Sequence, residues 1–146
     1  MAKFIFYRMT RASNLNISGA TDLRYHIIGS GATVPWFCLA EYAAMGGYFK
    51  AASIEASSLH EAWDNAHTDH LPTAKYVKTL SKECPGYSSV GDVFEDCSTG
   101  ELWLCQDMGW AEMPDDVAVL FKKALEPVRS SEDLRSIMSS LAEDAA

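Results

Sequence analysis

The sequence predicts an α+β fold: a small mixed or antiparallel sheet with packed helices and a C-terminal helical hairpin. Three patterns carry that expectation. Residues 3–9 form a short run rich in aromatic and β-branched side chains, the composition of a strand. Residues 59–66 place Leu59, Ala62, Trp63 and Ala66 at the i, i+3, i+4, i+7 spacing of one helical face, and Leu134, Ile137, Met138 and Leu141 repeat it near the C-terminus. Residues 90–95 and 101–106 are strand-like runs separated by a loop ending in Gly100, which can take the left-handed conformation a hairpin requires. With 146 residues, 48% apolar and 22% charged, the chain is long enough to bury a core as one domain over 1–146. Within it, 1–113 reads as the α+β core and 114–146 as an acidic helical hairpin.

The elements follow in order. Phe4 and Phe6 fall on one face of the first strand and Ile5 and Tyr7 on the other, so burial on both sides is expected. Residues 10–21 carry Ser, Asn and Gly and read as a loop; residues 23–28 read as a second short strand ending at Gly29-Ser30-Gly31. Pro35 suits the first turn of a helix, where its missing amide hydrogen costs nothing, and Gly46-Gly47 stops that helix after residues 36–45. Trp36, Phe37, Leu39, Ala40, Ala43 and Ala44 cover most of its circumference, which predicts a buried core helix. Residues 48–56 read as a strand, and Ser58 with Glu61 gives the capping-box spacing that opens the helix over 59–66. Leu71-Pro72 breaks the pattern, and 73–87 reads as an irregular polar connection. Gly109-Trp110 reads as a turn that directs an indole back over the sheet. Pro114-Asp115-Asp116 supplies a proline and a capping carboxylate ahead of a helix whose apolar face is Val117, Leu120, Phe121, Ala124 and Leu125. Glu126-Pro127 ends it, and Ser130 with Asp133 opens the last helix.

Charge is unevenly distributed. The formal net charge is −8; residues 95–146 hold twelve Asp or Glu against four Lys or Arg, while residues 1–94 hold eight of each. A local negative field repels phosphate backbones and attracts basic surfaces. Two readings stand: the carboxylates keep two surface helices in solution, or they form a face for a basic partner. No apolar run approaches the roughly 20 residues of a membrane span, and the start is charged too soon for a secretory signal, so a cytoplasmic location is expected. Cys38, Cys84, Cys97 and Cys105 form no CxxC pair and are expected as reduced thiols.

Residues 48–113 carry a recognisable series: Ile54-Glu55-Ala56, Leu59, Glu61-Ala62-Trp63, Asn65-Ala66-His67, then Ser88-Ser89-Val90-Gly91-Asp92-Val93 and Gly109-Trp110. In this the chain resembles a module of small proteins encoded by bacterial plasmids, phages and their archaeal counterparts. There the S-V-G-D-V segment begins a strand and a Gly followed by an aromatic closes the module. The tryptophan-containing segment of that pattern is missing here after His67. The resemblance implies a mobile-element context, in which small acidic proteins often block host machinery, including restriction and CRISPR defence, and it implies no catalytic activity. The residues have their own physical reading beside it. Gly91-Asp92 ahead of an apolar strand suits a tight turn in which the Asp92 side chain bonds a nearby backbone amide. Trp103 and Trp110 are candidate interface anchors where their rings are accessible.

Catalytic patterns are sparse. His60, His67, His70 and Cys84 are the one metal constellation by residue type, yet their spacing matches no known ligand set. A Cys84 nucleophile lacks a base placed beside it. Gly29-Ser30-Gly31 and Gly46-Gly47 match neither phosphate-loop signature and read as turns. Arg8, Arg11 and Arg24, with Tyr7 and Tyr25 for stacking, would be the groups for nucleic acid, but the overall charge opposes the long-range attraction that such binding needs.

The function expected from the sequence is that of a small acidic accessory protein of a mobile element. It would bind and block, by occlusion, a basic host protein or nucleoprotein complex that handles nucleic acid, as an anti-restriction or anti-CRISPR inhibitor does. The candidate partner-binding residues are Asp107, Trp110, Glu112, Asp115, Asp116, Glu126, Glu132 and Asp133. No catalytic residue, metal or cofactor is expected, and neither direct nucleic-acid binding nor a membrane partner. The alternatives are a metal-dependent enzyme built on His67, His70 and Cys84, and a self-associating module that forms a homodimer through the stripe of residues 134–141.

Overall fold

The computed structural model describes residues 2–29, 33–66, 77–79, 89–107 and 109–125. Its elements are β1 (Ala2–Met9), a single 3-10 turn (Ala12–Asn14), α1 (Ala20–Ile28), α2 (Trp36–Ala44), β2 (Tyr48–Ala56), α3 (Leu59–Ala66), β3 (Val77–Thr79), β4 (Val93–Asp96), β5 (Leu102–Gln106), β6 (Gly109–Glu112) and α4 (Asp115–Ala124). The fold is α+β. One sheet runs in the order β3-β2-β1-β4-β5-β6. β1 with β4, β4 with β5, β5 with β6 and β2 with β3 are antiparallel, in registers that include Phe6 opposite Phe94 and Phe94 opposite Trp103. The chain divides into two compact units, Met1–Met9 with Phe49–Glu112, and Thr10–Tyr48 with Met113–Ala146.

The first unit holds most of the sheet. Phe4 and Phe6 on β1, Ala52, Ile54 and Ala56 on β2 and Phe94 on β4 form one buried cluster, closed by Ala62 and Ala66 of α3 with Leu59 and Trp63 packed against it. The helical spacing of those four residues therefore meets the sheet as the sequence predicts. Ser58 Oγ accepts the Glu61 N–H at 3.1 Å, one half of the capping box. The other half is displaced by one residue: the Ser57 N–H donates to Glu61 Oε1 at 3.4 Å, and the Ser57 hydroxyl adds a bond to Oε2 at 2.5 Å. The β4–β5 hairpin forms as expected. Gly100, at φ +80°, donates its N–H to the Asp96 carbonyl at 2.7 Å, and Asp96 in turn receives the Ser98 N–H on its side chain at 2.9 Å.

The second unit is helical. α2 ends in a glycine cap in which Gly47 N–H donates to the Tyr42 carbonyl at 2.8 Å and Gly46 N–H to that of Ala43 at 3.0 Å, with Gly46 at φ +91°. The Tyr42 hydroxyl donates to the Thr10 carbonyl at 2.5 Å, and Thr10 N–H to the Gly47 carbonyl at 2.7 Å, so the glycine cap and its tyrosine pin the same loop. α4 packs against α2, with Phe121 fully buried and edge-on to Tyr48 at 5.2 Å between ring centroids. Its apolar face is the one the sequence marks, and Val119, off that face, is exposed.

Several sequence expectations are corrected. Residues 23–28 are not a strand but the body of α1: buried Ala20 and Ile27 lie seven positions apart on one helical face, and exposed Tyr25 and His26 are adjacent, which a half-buried strand does not allow. Residues 10–21 include the 3-10 turn and the first residues of α1, and 73–87 include β3. Gly109-Trp110 is not a turn; it starts β6. Pro114, not a carboxylate, stands at the N-cap of α4, and Asp115 and Asp116 lie within its first turn. Phe37 of α2 is exposed rather than buried. The second helix of the C-terminal hairpin, with Leu134, Ile137, Met138 and Leu141, lies outside the described residues.

Candidate functional site

Asp107, Trp110 and Glu112 are brought together by the β5–β6 pairing. Asp107 occupies the connection, exposed; Trp110 stands opposite Cys105, and Glu112 opposite Trp103, on the edge strand β6. The Trp110 ring meets Phe94 edge to face at 5.5 Å, and Phe94 stacks on Phe6 at 5.0 Å. A row of rings thus runs from the centre of the sheet to its edge and fixes the half-buried indole in place, offset and T-shaped contacts being the arrangements that aromatic quadrupoles favour. Trp103 is also half-buried.

Asp115 and Asp116 are exposed in the first turn of α4. Negative side chains are favourable there because the unpaired N–H groups of a helix start carry partial positive charge. Asp116 accepts the Val117 N–H at 3.0 Å. Among the described residues, none of Asp107, Glu112, Asp115 or Asp116 forms an ion pair with Lys or Arg. Glu126, Glu132 and Asp133 lie outside the described residues.

Asp92 ties β1, β5 and the turn before β4 together. Its side chain is 1% exposed, and both oxygens are used: Oδ1 accepts the Met9 N–H at 2.8 Å and Oδ2 the Ser89 N–H at 2.7 Å. The backbone is equally committed, with Cys105 N–H donating to the Asp92 carbonyl and Gly91 N–H to the Cys105 carbonyl, each at 2.9 Å. The structural role that the sequence suggests for Asp92 is therefore the observed one. Its partnership with Met9 was not readable, since only the β1–β4 register brings the two together.

Cys105 and Cys38 do not resemble activated nucleophiles. Burial pushes the Cys105 thiol up to about 11, helped by the Asp92 charge. Burial, then the Glu41 charge, also raises Cys38. A thiol raised this way is mostly protonated at neutral pH. Of the metal constellation, His60 is described and pairs with Asp64 at 3.4 Å on the exposed side of α3. His67, His70 and Cys84 lie outside the described residues. Among the described residues no group of three or more His, Cys, Asp or Glu is placed to hold a metal, and no helix is long and apolar enough to cross a membrane.

Comparison of the chain with protein-family models, with curated proteins and with solved structures finds no match.

Proposed function

We propose that this protein is a stoichiometric binding protein that uses its acidic C-terminal third, with Trp110 as an apolar anchor, to occlude a basic surface on a protein that handles nucleic acid. The observation that supports it most is that Asp107, Glu112, Asp115 and Asp116 are solvent-exposed and free of Lys or Arg ion pairs among the described residues, in the same third that holds the entire charge surplus. Carboxylates without cationic neighbours keep their field available for steering a partner. Trp110 adds what carboxylates lack, a rigid ring already held by Phe94, so that ordering it at an interface costs little entropy. The resemblance of residues 48–113 to a plasmid- and phage-encoded module suggests a setting, namely an anti-defence inhibitor acting in the host cytoplasm on a restriction or CRISPR nucleoprotein.

The test is capture from nuclease-treated bacterial lysate by the tagged protein and by a variant neutral at Asp115, Asp116, Glu132 and Asp133. A basic nucleic-acid-handling protein retained by the wild type and lost by the variant is the expected result. Equal retention of the same partner by both contradicts the role given to these carboxylates.

A further inference from the structure

Within the helical unit, the 3-10 turn and α1 border a half-open surface cavity of about 220 Å³ lined by Arg11, Ala12, Ser13, Thr21, Arg24 and Tyr25. We infer that this cavity binds a nucleoside monophosphate, the phosphate held by Arg11 and Arg24 and the base laid on the ring of Tyr25. The inference does not rest on the function proposed above.

Three observations converge on that ligand. Two guanidiniums bring two positive charges to one cavity, matching the near-dianionic phosphate monoester better than a singly charged carboxylate, and guanidinium geometry suits bidentate pairing with phosphate oxygens. Ser13 and Thr21 add hydroxyl donors of the kind that hold phosphates. Tyr25 is 70% exposed, an aromatic face left in water at the cavity mouth, and stacking on such a face accepts any base. Size sets the division of the ligand: the cavity is smaller than the roughly 300 Å³ at which pockets enclose whole ligands, so it takes the sugar phosphate and leaves the base outside on Tyr25. The sequence names Arg11, Arg24 and Tyr25 as a loose basic and aromatic set; helix α1 is what gathers them, while Arg8 and Tyr7 stay on β1.

Calorimetric titration of the full chain with AMP, adenosine and inorganic phosphate tests this. AMP is expected to bind, with adenosine and phosphate each roughly tenfold weaker or worse, the loss of one charge-assisted or stacking contact. Arg11→Ala and Tyr25→Ala, both at exposed positions, are expected to keep the wild-type circular dichroism and weaken AMP roughly fivefold or more. No AMP binding up to about 10 mM, equal binding of AMP and phosphate, or AMP binding unchanged in Arg11→Ala would each overturn the assignment.

Discussion

The carboxylate of Asp92 accepts the backbone N–H of Met9, 83 positions away, at 2.8 Å, while its second oxygen receives the Ser89 N–H at 2.7 Å. One buried side chain thereby ties the end of β1 to the turn that starts β4. Removing it strands the Met9 amide donor, which burial keeps from water, and takes away the partner of the Ser89 amide. Asp92→Ala is expected to destabilise the protein by about 2–4 kcal/mol, read from urea unfolding. Asp92→Asn, which keeps one carbonyl acceptor and turns an amide N–H toward the other donor, is expected to recover only part of that loss.

The glycine cap of α2 leaves no room for a side chain. A Cβ at Gly47 would stand 2.5 Å from the Tyr42 carbonyl oxygen and collide with its ring. Tyr42 is fully buried and hydrogen-bonded to Thr10, so it has nowhere to move. Gly47→Ala is expected to cost about 1–3 kcal/mol, the range for overpacking, seen as a lower urea midpoint.

Phe121 joins α4 to the helical unit through Tyr48. Phe121→Ala is expected to cost about 3–5 kcal/mol, whereas Val119→Ala, on the exposed side of the same helix, is expected to change stability by less than about 0.5 kcal/mol. Equal effects from the two would show that α4 does not pack by its Phe121 face.

Alkaline pH is expected to unfold the protein early. Burial and the hydrogen bond to Glu95 raise the Tyr7 phenol, burial raises Tyr42 against the opposing charge of Arg24, and burial raises Cys105 to about 11. Each folded-state value lies above the ordinary 9.0 of a thiol or 10.0 of a phenol. Above those ordinary values the unfolded chain holds fewer protons than the folded one, so stability is complete below about pH 9 and falls as pH rises. Urea midpoints taken from pH 7 to 11 check this, with the decline starting near pH 9. Tyr7→Phe is expected to flatten it.

Local signals were legible and long-range ones were not. The bounds of β2 and α3 follow from signals within a few residues: strand alternation, the Ser58 cap and the four-residue apolar face. The β4–β5 hairpin follows from Gly100. Helix α1 was misread because Leu23, Tyr25 and Ile27 alternate with polar Arg24 and His26, a period-two pattern that six residues cannot distinguish from a helix. Asp22 in its first turn and Gly29 after its end were the helical signals available. That misreading also hid the cavity, because only a helix brings Thr21, Arg24 and Tyr25 beside Arg11. Of the acidic site, the residue types were legible, but that Asp107 and Glu112 share a hairpin with Trp110 depends on β6, which its glycine start disguised as a turn.

Whether the carboxylates of the C-terminal third steer a basic partner is read from the association rate of the captured partner with wild-type protein and with a variant carrying Asp107→Asn, Glu112→Gln, Asp115→Asn and Asp116→Asn, measured across ionic strength. Electrostatic steering predicts a wild-type rate that falls about tenfold or more between roughly 0.05 and 0.5 M salt, and a variant that starts slower and depends little on salt. A wild-type rate indifferent to salt and equal to that of the variant would rule out steering by these carboxylates.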